Sequence, residues 1–139
     1  MNNLKVSDLM STELITLEQD ESLDLADEIM KLARIRHLPV TKGGKLVGLV
    51  THRDLLRAQV SMLAGLSRDE SFEIEGSISV ASIMTTHAET IAPNSTALEA
   101  AKLMREHKYG CLPVCDDGML VGIITEADFL DLVIRALQQ

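Results

Sequence analysis

Apolar residues follow two different periods along this chain, and the two periods predict its strands and helices. Short apolar runs predict strands at Leu14–Leu17, Leu38–Val40 and Leu46–Val50. Apolar residues at helical spacing predict one helix that begins after Ser22 and another that begins after Thr51. The first half of the chain is therefore predicted to fold as strand, helix, strand, turn, strand, helix.

The second half of the chain repeats the first. When the sequence is shifted by 74 residues, Val6–Leu56 aligns with Val80–Leu130 without a gap, and 16 of the 51 aligned positions are identical. The stretch GKLVGLVTHRD, which begins at Gly44, returns as GMLVGIITEAD. A repeat that keeps its spacing predicts two units with the same fold.

Turn residues and helix caps agree with this prediction. Gly43-Gly44 and Asp117-Gly118 are typical of tight hairpin turns, and Thr96 with Glu99 forms a capping box before a helix. The last helix is predicted from Glu126 to about Ala136. The fold class is therefore predicted to be α+β.

The repeat suggests a division of the chain into residues 1–66, 67–79 and 80–139. A unit of about 50 residues with three strands is marginal by itself, so the two repeats are expected to share a core. The segment Ser67–Ser77 is acidic and polar, and we expect it to be a linker with little structure.

The charge balance excludes some classes of partner. Thirteen basic residues are scattered among 21 acidic ones, for a net charge of −8. Binding to nucleic acid or to an anionic membrane needs a basic surface, so neither is expected. No apolar run is long enough to cross a bilayer and the N-terminus lacks a secretory signal, which leaves the cytoplasm as the expected location.

No pattern in the sequence predicts an enzyme or a metal site. The histidines, at positions 37, 52, 87 and 107, form neither a helical metal-binding pair nor a zinc motif with a cysteine. Cys111 and Cys115 lie in an apolar stretch and are predicted to be buried free thiols. The sequence also contains no nucleophile elbow and no phosphate-binding loop, so we expect no catalytic residues.

Two Thr-x-x-Asp motifs, Thr51–Asp54 and Thr125–Asp128, lie where a strand meets a helix. Such a motif can serve only as a helix cap. It can also hold a ligand, because a carboxylate at a helix N-terminus can accept hydrogen bonds from neighbouring hydroxyls such as those of a ribose. We expect Gly48 and Gly122 to leave room for that ligand above the strand.

The doubled pattern resembles the CBS domain, named for cystathionine β-synthase, in the tandem pair called a Bateman module. The resemblance covers both repeats, with M-x-T, LPV and G-x-LVG-h-h-T-x-x-D (h is apolar) in each. It implies two β-α-β-β-α units related by pseudo-twofold symmetry, with small sheets face to face, helices outside and a shared ligand-binding cleft.

The resemblance also implies which residues bind the ligand, with each site mixing the two copies. Asp54 would hold a ribose, Arg53 would meet a phosphate and Tyr109 would stack on the base. The complete first site would be Thr51, Arg53, Asp54, Thr85, Ala88, Tyr109 and Gly110. The second would be Thr125, Asp128, Ser11, Leu14, Ile35 and Arg36.

The implied function is regulatory sensing of an adenosine-containing ligand: AMP, ADP or ATP, with S-adenosylmethionine, NAD or a cyclic dinucleotide as alternatives. Such pairs commonly form homodimers through their helices, so a homodimer and an effector protein of unknown identity are the expected partners. Extra apolar residues in the last helix of each repeat agree with a partner surface. A module that only dimerises, without a ligand, is the alternative.

Overall fold

The computed structural model describes residues 3–63 and 65–139. A single 3₁₀ turn lies at Val80–Ser82. The other elements are, in chain order, α1 (Val6–Leu9), β1 (Leu17–Glu18), α2 (Leu23–Ala33), β2 (His37–Lys42), β3 (Lys45–Thr51), α3 (His52–Leu63), α4 (Arg68–Ser77), α5 (Ala97–His107), β4 (Cys111–Asp116), β5 (Met119–Thr125) and α6 (Glu126–Leu137). The α+β class is confirmed.

The chain forms two compact units, and the boundary between them does not follow the repeats. One unit, here called the contiguous unit, is Ile15–Ala88. The other, here called the two-segment unit, combines residues 3–14 with Glu89–Gln139. The first residues of each repeat therefore belong to the unit that contains the other repeat's hairpin. The division at 1–66, 67–79 and 80–139 stays a prediction about the sequence repeats.

The contiguous unit contains a three-stranded sheet. β2 pairs antiparallel with β3, with His37 opposite Thr51, and β1 pairs parallel with β2, with Leu17 opposite Val40. Gly43 and Gly44 have φ values of 58° and 81°, which a tight hairpin turn of this kind requires. The predicted hairpin is confirmed. The predicted strand Leu14–Leu17 is wrong in extent, because only Leu17 of that run enters the core and Ile15 is exposed.

Helices α2 and α3 supply much of the core of this unit. They bury only some of the apolar positions at helical spacing, since Leu56 and Val60 of α3 are exposed. Each fully buried leucine side chain contributes about 1.5–3 kcal/mol. The buried cluster consists of Leu17, Leu23, Ala26, Met30, Leu38, Val40, Val50, Leu55, Ala58 and Val80.

The expectation of an unstructured linker at Ser67–Ser77 is wrong, because this segment forms helix α4. The Ser67 hydroxyl accepts a hydrogen bond from the Glu70 backbone N–H, which caps the helix. The helix packs against α2, and Gln59 Nε2 of α3 donates to Glu75 Oε1 at 3.0 Å. The sequence did not indicate this helix because its only apolar residues, Phe72 and Ile74, lie two positions apart and form no helical stripe.

The two-segment unit repeats this hairpin. β4 pairs antiparallel with β5, with Cys111 opposite Thr125, and Asp117 and Gly118 form the turn with φ values of 54° and 82°. The N-terminal segment joins through hydrogen bonds from Val6 N to Ser95 O and from Ala97 N to Leu4 O, each 2.8 Å. The buried cluster consists of Val6, Ile91, Ala100, Met104, Leu112, Val114 and Ile124.

Candidate functional site

Both Thr-x-x-Asp motifs begin a helix. In the first, Thr51 N donates to Asp54 Oδ2 at 2.9 Å, and Asp54 N donates to Thr51 Oγ1 at 3.1 Å. In the second, Thr125 N donates to Asp128 Oδ2 at 2.8 Å, and the Thr125 hydroxyl lies 3.4 Å from the same oxygen. The capping role of the motif is therefore confirmed at the starts of α3 and α6.

The cap uses only one oxygen of each carboxylate. Among the described residues, Oδ2 of Asp54 and of Asp128 accepts the capping bond, whereas neither Oδ1 has a hydrogen-bond partner. Both side chains are partly exposed. Capping and ligand binding are therefore compatible, since the cap fixes the carboxylate and leaves its second oxygen free to accept hydrogen bonds.

A segment from the other repeat lies beside each motif. Leu49 of β3 exchanges backbone hydrogen bonds of 3.0 and 2.9 Å with Thr85, and Ile123 of β5 exchanges bonds of 2.9 and 3.0 Å with Ser11. Thr85 thus lies next to the strand that ends at Thr51, and Ser11 next to the strand that ends at Thr125. The resemblance implied that each site combines residues from both repeats. For Thr85 and Ser11 this is so, because each lies beside a strand of the other repeat within one compact unit. Ala88 and Leu14 follow three residues further along the same segments.

The residues before the LPV motifs lie beside the Thr-x-x-Asp motif of their own repeat. Arg36 O accepts a hydrogen bond from His52 N at 2.8 Å, and Gly110 O accepts one from Glu126 N at 3.3 Å. This follows from the hairpin register, in which the start of one strand opposes the end of the next. The four residues were predicted in the opposite grouping: Tyr109 and Gly110 with Thr51, and Ile35 and Arg36 with Thr125. That grouping stays a prediction.

The space above the strand glycines is occupied by methionine side chains. A Cβ on Gly48 would collide with Met84 Sδ, and a Cβ on Gly122 would lie 2.5 Å from Met10 Sδ. The expectation that these glycines leave room for a ligand is therefore wrong. They leave room for the two methionines that precede Thr85 and Ser11.

Tyr109 lies in a stack that the sequence did not predict. Its ring is parallel to within 21° with the His107 ring, at a centroid distance of 5.2 Å, and it also packs against the core of the two-segment unit. His107, which ends α5, thus covers part of the tyrosine that was predicted to meet a base. No signal in the sequence indicated the stack, because it depends on the left-handed turn at Lys108.

The two cysteines are free thiols. Burial raises the pKa of Cys111 to about 12 and also raises the pKa of the less buried Cys115, so neither resembles an activated nucleophile. Over the part of the chain that the structure describes, no three His, Cys, Asp or Glu side chains are grouped to hold a metal ion. No helix in that part is both long and apolar enough to span a membrane.

Comparison with known proteins agrees with this architecture. A CBS domain-containing protein of Dictyostelium discoideum is 39% identical over 135 residues, which is 96% of this chain and 93% of the relative. The structure of an acetoin utilization protein (AcuB), described as putative, from Vibrio cholerae superposes with a TM-score of 0.86 and 34% identity, covering 99% of this chain and 97% of that one.

Two similar structures contain adenosine compounds. CBSX2 in complex with AMP superposes with a TM-score of 0.80 and 26% identity, covering 96% of this chain and 98% of that one. The second is the CBS domain pair of MJ0100 in complex with 5′-methylthioadenosine and S-adenosyl-L-methionine. It superposes with a TM-score of 0.77 and 27% identity, covering 93% of this chain and 98% of that one.

The family model of the CBS domain matches this chain twice, at residues 6–61 and 80–135. The two matches coincide with the internal repeat and with the two hairpins. This chain therefore belongs to the CBS domain family and carries two copies of the domain.

Proposed function

We propose that this chain is a regulatory module that binds adenosine-containing ligands and has no catalytic activity. The observation that carries the proposal is the free Oδ1 of Asp54 and of Asp128, each held rigidly by a cap beside a segment of the other repeat. A fixed carboxylate oxygen of this kind suits the two hydroxyls of a ribose. The AMP, methylthioadenosine and S-adenosylmethionine complexes of similar chains support the same ligand class.

The proposed site residues are the predicted ones, but the grouping proposed here differs from the predicted one. Ile35 and Arg36 are exchanged with Tyr109 and Gly110, so that each site lies within one compact unit. In the contiguous unit, Asp54 holds the ribose and Arg53 meets the 5′ substituent, and the base lies near Ile35 and Ala88. The remaining members of that site are Arg36, Thr51 and Thr85. In the two-segment unit, Asp128 holds the ribose and Tyr109 lies beside the base, and the remaining members are Ser11, Leu14, Gly110 and Thr125.

A thermal-shift panel tests the proposal. The panel contains AMP, ADP, ATP, NAD, S-adenosylmethionine and cyclic dinucleotides, with AMP, ADP or ATP expected to bind best. A ligand that binds only the folded chain, at 100 times its Kd, adds about 2.7 kcal/mol to the free energy of unfolding.

Matched Asp→Asn variants give the control for this panel. Asn keeps an oxygen for the cap but loses the charge, so Asp54→Asn and Asp128→Asn should reduce the shift. The control is Asp8→Asn. Asp8 lies outside both sites and makes an equivalent cap, in which Lys5 N donates to Asp8 Oδ2 at 2.8 Å, so this variant should show the same ligand-induced thermal shift as the wild type. If no adenosine compound shifts the unfolding of the wild-type chain, the alternative of a ligand-free dimerisation module is favoured.

We also propose that the chain acts through a homodimer or through an effector protein that has different affinities for the ligand-bound and ligand-free forms. Exposed apolar stripes on α3 and α6 support a second copy as partner. On α6, Leu130, Val133, Ile134 and Leu137 are 50–79% exposed and lie on one helical face. Leu56 and Val60 occupy the equivalent positions on α3, at 48% and 75% exposure.

Sedimentation equilibrium tests the dimer. Leu130→Glu or Val60→Glu should produce monomers, because each places a charge in the apolar contact. Leu98→Glu is the control, since Leu98 is 62% exposed on α5, outside both stripes. A wild-type chain that sediments as a monomer at micromolar concentrations would contradict this part of the proposal.

A further inference from the structure

The two proposed sites occupy equivalent positions in the repeat, yet their charges are opposite. Five positions in the first site or next to it carry an arginine or a histidine, and the equivalent position 74 residues away is acidic or neutral. The pairs, first site then second, are Arg36 and Gly110, His52 and Glu126, Arg53 and Ala127, Arg57 and Asp131, and His87 and Glu13. Only Asp54 and Asp128 carry the same charge in both sites.

The backbone geometry places these residues around each motif. His52 and Arg53 open α3 next to Asp54, and Arg57 follows Arg53 by one helical turn, on the same face. Arg36 is held there by its backbone, whose carbonyl accepts the His52 N–H. His87 follows Thr85, which pairs with Leu49. Equivalent contacts lie around Thr125–Asp128. Glu126 N donates to Gly110 O, Glu13 follows Ser11, which pairs with Ile123, and Asp131 follows Ala127 by one turn of α6.

The three arginines have no carboxylate partner in the described structure. Among the described residues the one ion pair joins Lys31 and Asp27, and Arg36, Arg53 and Arg57 are exposed. With histidines neutral, three arginines and one aspartate give the first site a formal charge of +2. The equivalent positions of the second site, Glu13, Glu126, Asp128 and Asp131, carry a formal charge of −4, and Arg135, whose Nε donates to the Asp131 backbone O at 3.4 Å, is a basic residue beside them.

On the basis of the proposed function, we infer that the two sites select adenosine ligands by the charge of the 5′ substituent. The site in the contiguous unit takes a phosphate-bearing adenosine, because unpaired guanidinium groups bind phosphate oxygens well. The site in the two-segment unit takes an adenosine whose 5′ substituent is neutral or cationic, such as a thioether or a sulfonium. A phosphate there would lie among four carboxylates, whose negative charge Arg135 does not offset, and like charges in one site repel.

A charge series on one nucleoside tests the inference. AMP, 5′-methylthioadenosine and S-adenosylmethionine are titrated separately into the full chain by calorimetry, and AMP is then titrated into chain saturated with S-adenosylmethionine. Each ligand alone is expected to bind. The affinity of AMP for the chain saturated with S-adenosylmethionine should differ by less than about threefold from its affinity for the ligand-free chain. Mutual exclusion of AMP and S-adenosylmethionine would overturn the inference, as would binding of AMP without any binding of S-adenosylmethionine.

Two reciprocal substitutions, Arg53→Ala and Ala127→Arg, test whether the residue at this position determines the preference for the charge of the ligand. Arg53→Ala installs the residue of the other repeat, so the fold has already accepted it at the equivalent position. It should weaken AMP binding about tenfold or more while changing the affinity for S-adenosylmethionine by less than about twofold. Ala127→Arg adds a positive charge to the second site but leaves it acidic, so it should weaken the binding of S-adenosylmethionine there without creating a second AMP site.

Equal weakening of both ligands by Arg53→Ala would overturn the charge selection while leaving the proposed function in place. If the folded wild-type chain binds none of the three compounds, the proposed function itself is overturned. The wild-type titrations therefore test the proposed function, and the Arg53→Ala titrations test the charge selection.

Discussion

The side chain of Met84 fills the space into which a Cβ on Gly48 would project, and Met10 does the same at Gly122. These four residues account for two of the identities between the repeats. Each methionine immediately precedes the residue that pairs with β3 or β5, so the contact helps to seat the segment that carries Thr85 or Ser11. The glycines are needed because any side chain there would displace the sulfur.

We predict that Gly48→Ala and Gly122→Ala destabilise the fold by about 1–3 kcal/mol each, the usual effect of overpacking a filled site. Gly76→Ala is the matched control. Its Cβ would meet only Asp24 Oδ2, at 3.7 Å, and alanine is favoured in helix α4 by up to about 1 kcal/mol. Urea unfolding of the three variants gives the comparison.

A double variant tests the cause of this effect. If the clash with Met84 is responsible, adding Met84→Ala to Gly48→Ala should recover part of the lost stability, so the two changes will not be additive. Additive losses would show that Gly48 is required for another reason.

Asp54 is predicted to contribute separately to stability and to ligand binding. Asp54→Ala removes the bond from Thr51 N to the carboxylate but keeps the bond from the backbone N of residue 54 to Thr51 Oγ1, so it should cost about 1 kcal/mol or less in the free energy of unfolding. Asp54→Asn should cost less still because it keeps an acceptor oxygen. Both variants should lose nucleotide binding at that site. Binding by Asp54→Asn that equals the wild type would remove the charge of Asp54 from the recognition of the ligand.

Arg34 and Lys108 end α2 and α5 in the left-handed conformation, with φ values of 56° and 58°. Glycine is the favoured residue there, since side chains with a Cβ are strained by about 1–2 kcal/mol. Arg34→Gly and Lys108→Gly should therefore raise Tm. Lys102→Gly, inside α5, should lower it through the helix penalty of glycine. A fall in Tm for both capping variants would contradict the strain argument.

The two thiols should differ in reactivity. Cys111 is 4% exposed and burial raises its pKa to about 12, whereas Cys115 is partly exposed and its pKa is raised by the same cause. Iodoacetamide at pH 8 should therefore modify Cys115 slowly in the folded chain and Cys111 only after unfolding. Mass spectrometry of peptides gives the two rates, and faster modification of Cys111 would contradict its burial.

The same burial makes stability depend on alkaline pH. The pKa of Cys111 is higher in the folded chain than its ordinary value of 9.0, so its contribution is complete below about pH 9 and is lost as the pH rises toward 12. Cys111→Ala should lose less stability over this interval than the wild type does. Parallel pH curves for the two proteins would contradict the assignment.

The periodic parts of the fold could be predicted from the sequence, and the exceptions have physical causes. Both hairpins and the starts of α3 and α6 were predictable, because Gly44 and Gly118 require positive φ and the Thr-x-x-Asp caps are local. Helix α4 was missed because its sequence is polar and has no apolar residues at helical spacing. The location of Met84 above Gly48 was missed because a glycine in a strand indicates space without indicating which atoms fill it.

The site could be predicted only in part for a similar reason. The resemblance of the repeat to a known family identified Asp54, Thr85 and their counterparts, and the backbone pairing brings Thr85 to the strand before Asp54. The stack of His107 on Tyr109 depends on the left-handed turn at Lys108, which a lysine does not signal in a sequence.

The two-segment composition of one compact unit has a consequence for synthesis on the ribosome. Residues 15–88 are continuous in the chain, so that unit can close as soon as it has left the exit tunnel. Residues 3–14 emerge before that unit, yet their hydrogen-bond partners Pro93, Ser95 and Ile123 are translated after it. The buried side chain of Val6 must therefore stay exposed to water until Ile124, a member of its buried cluster, has been translated.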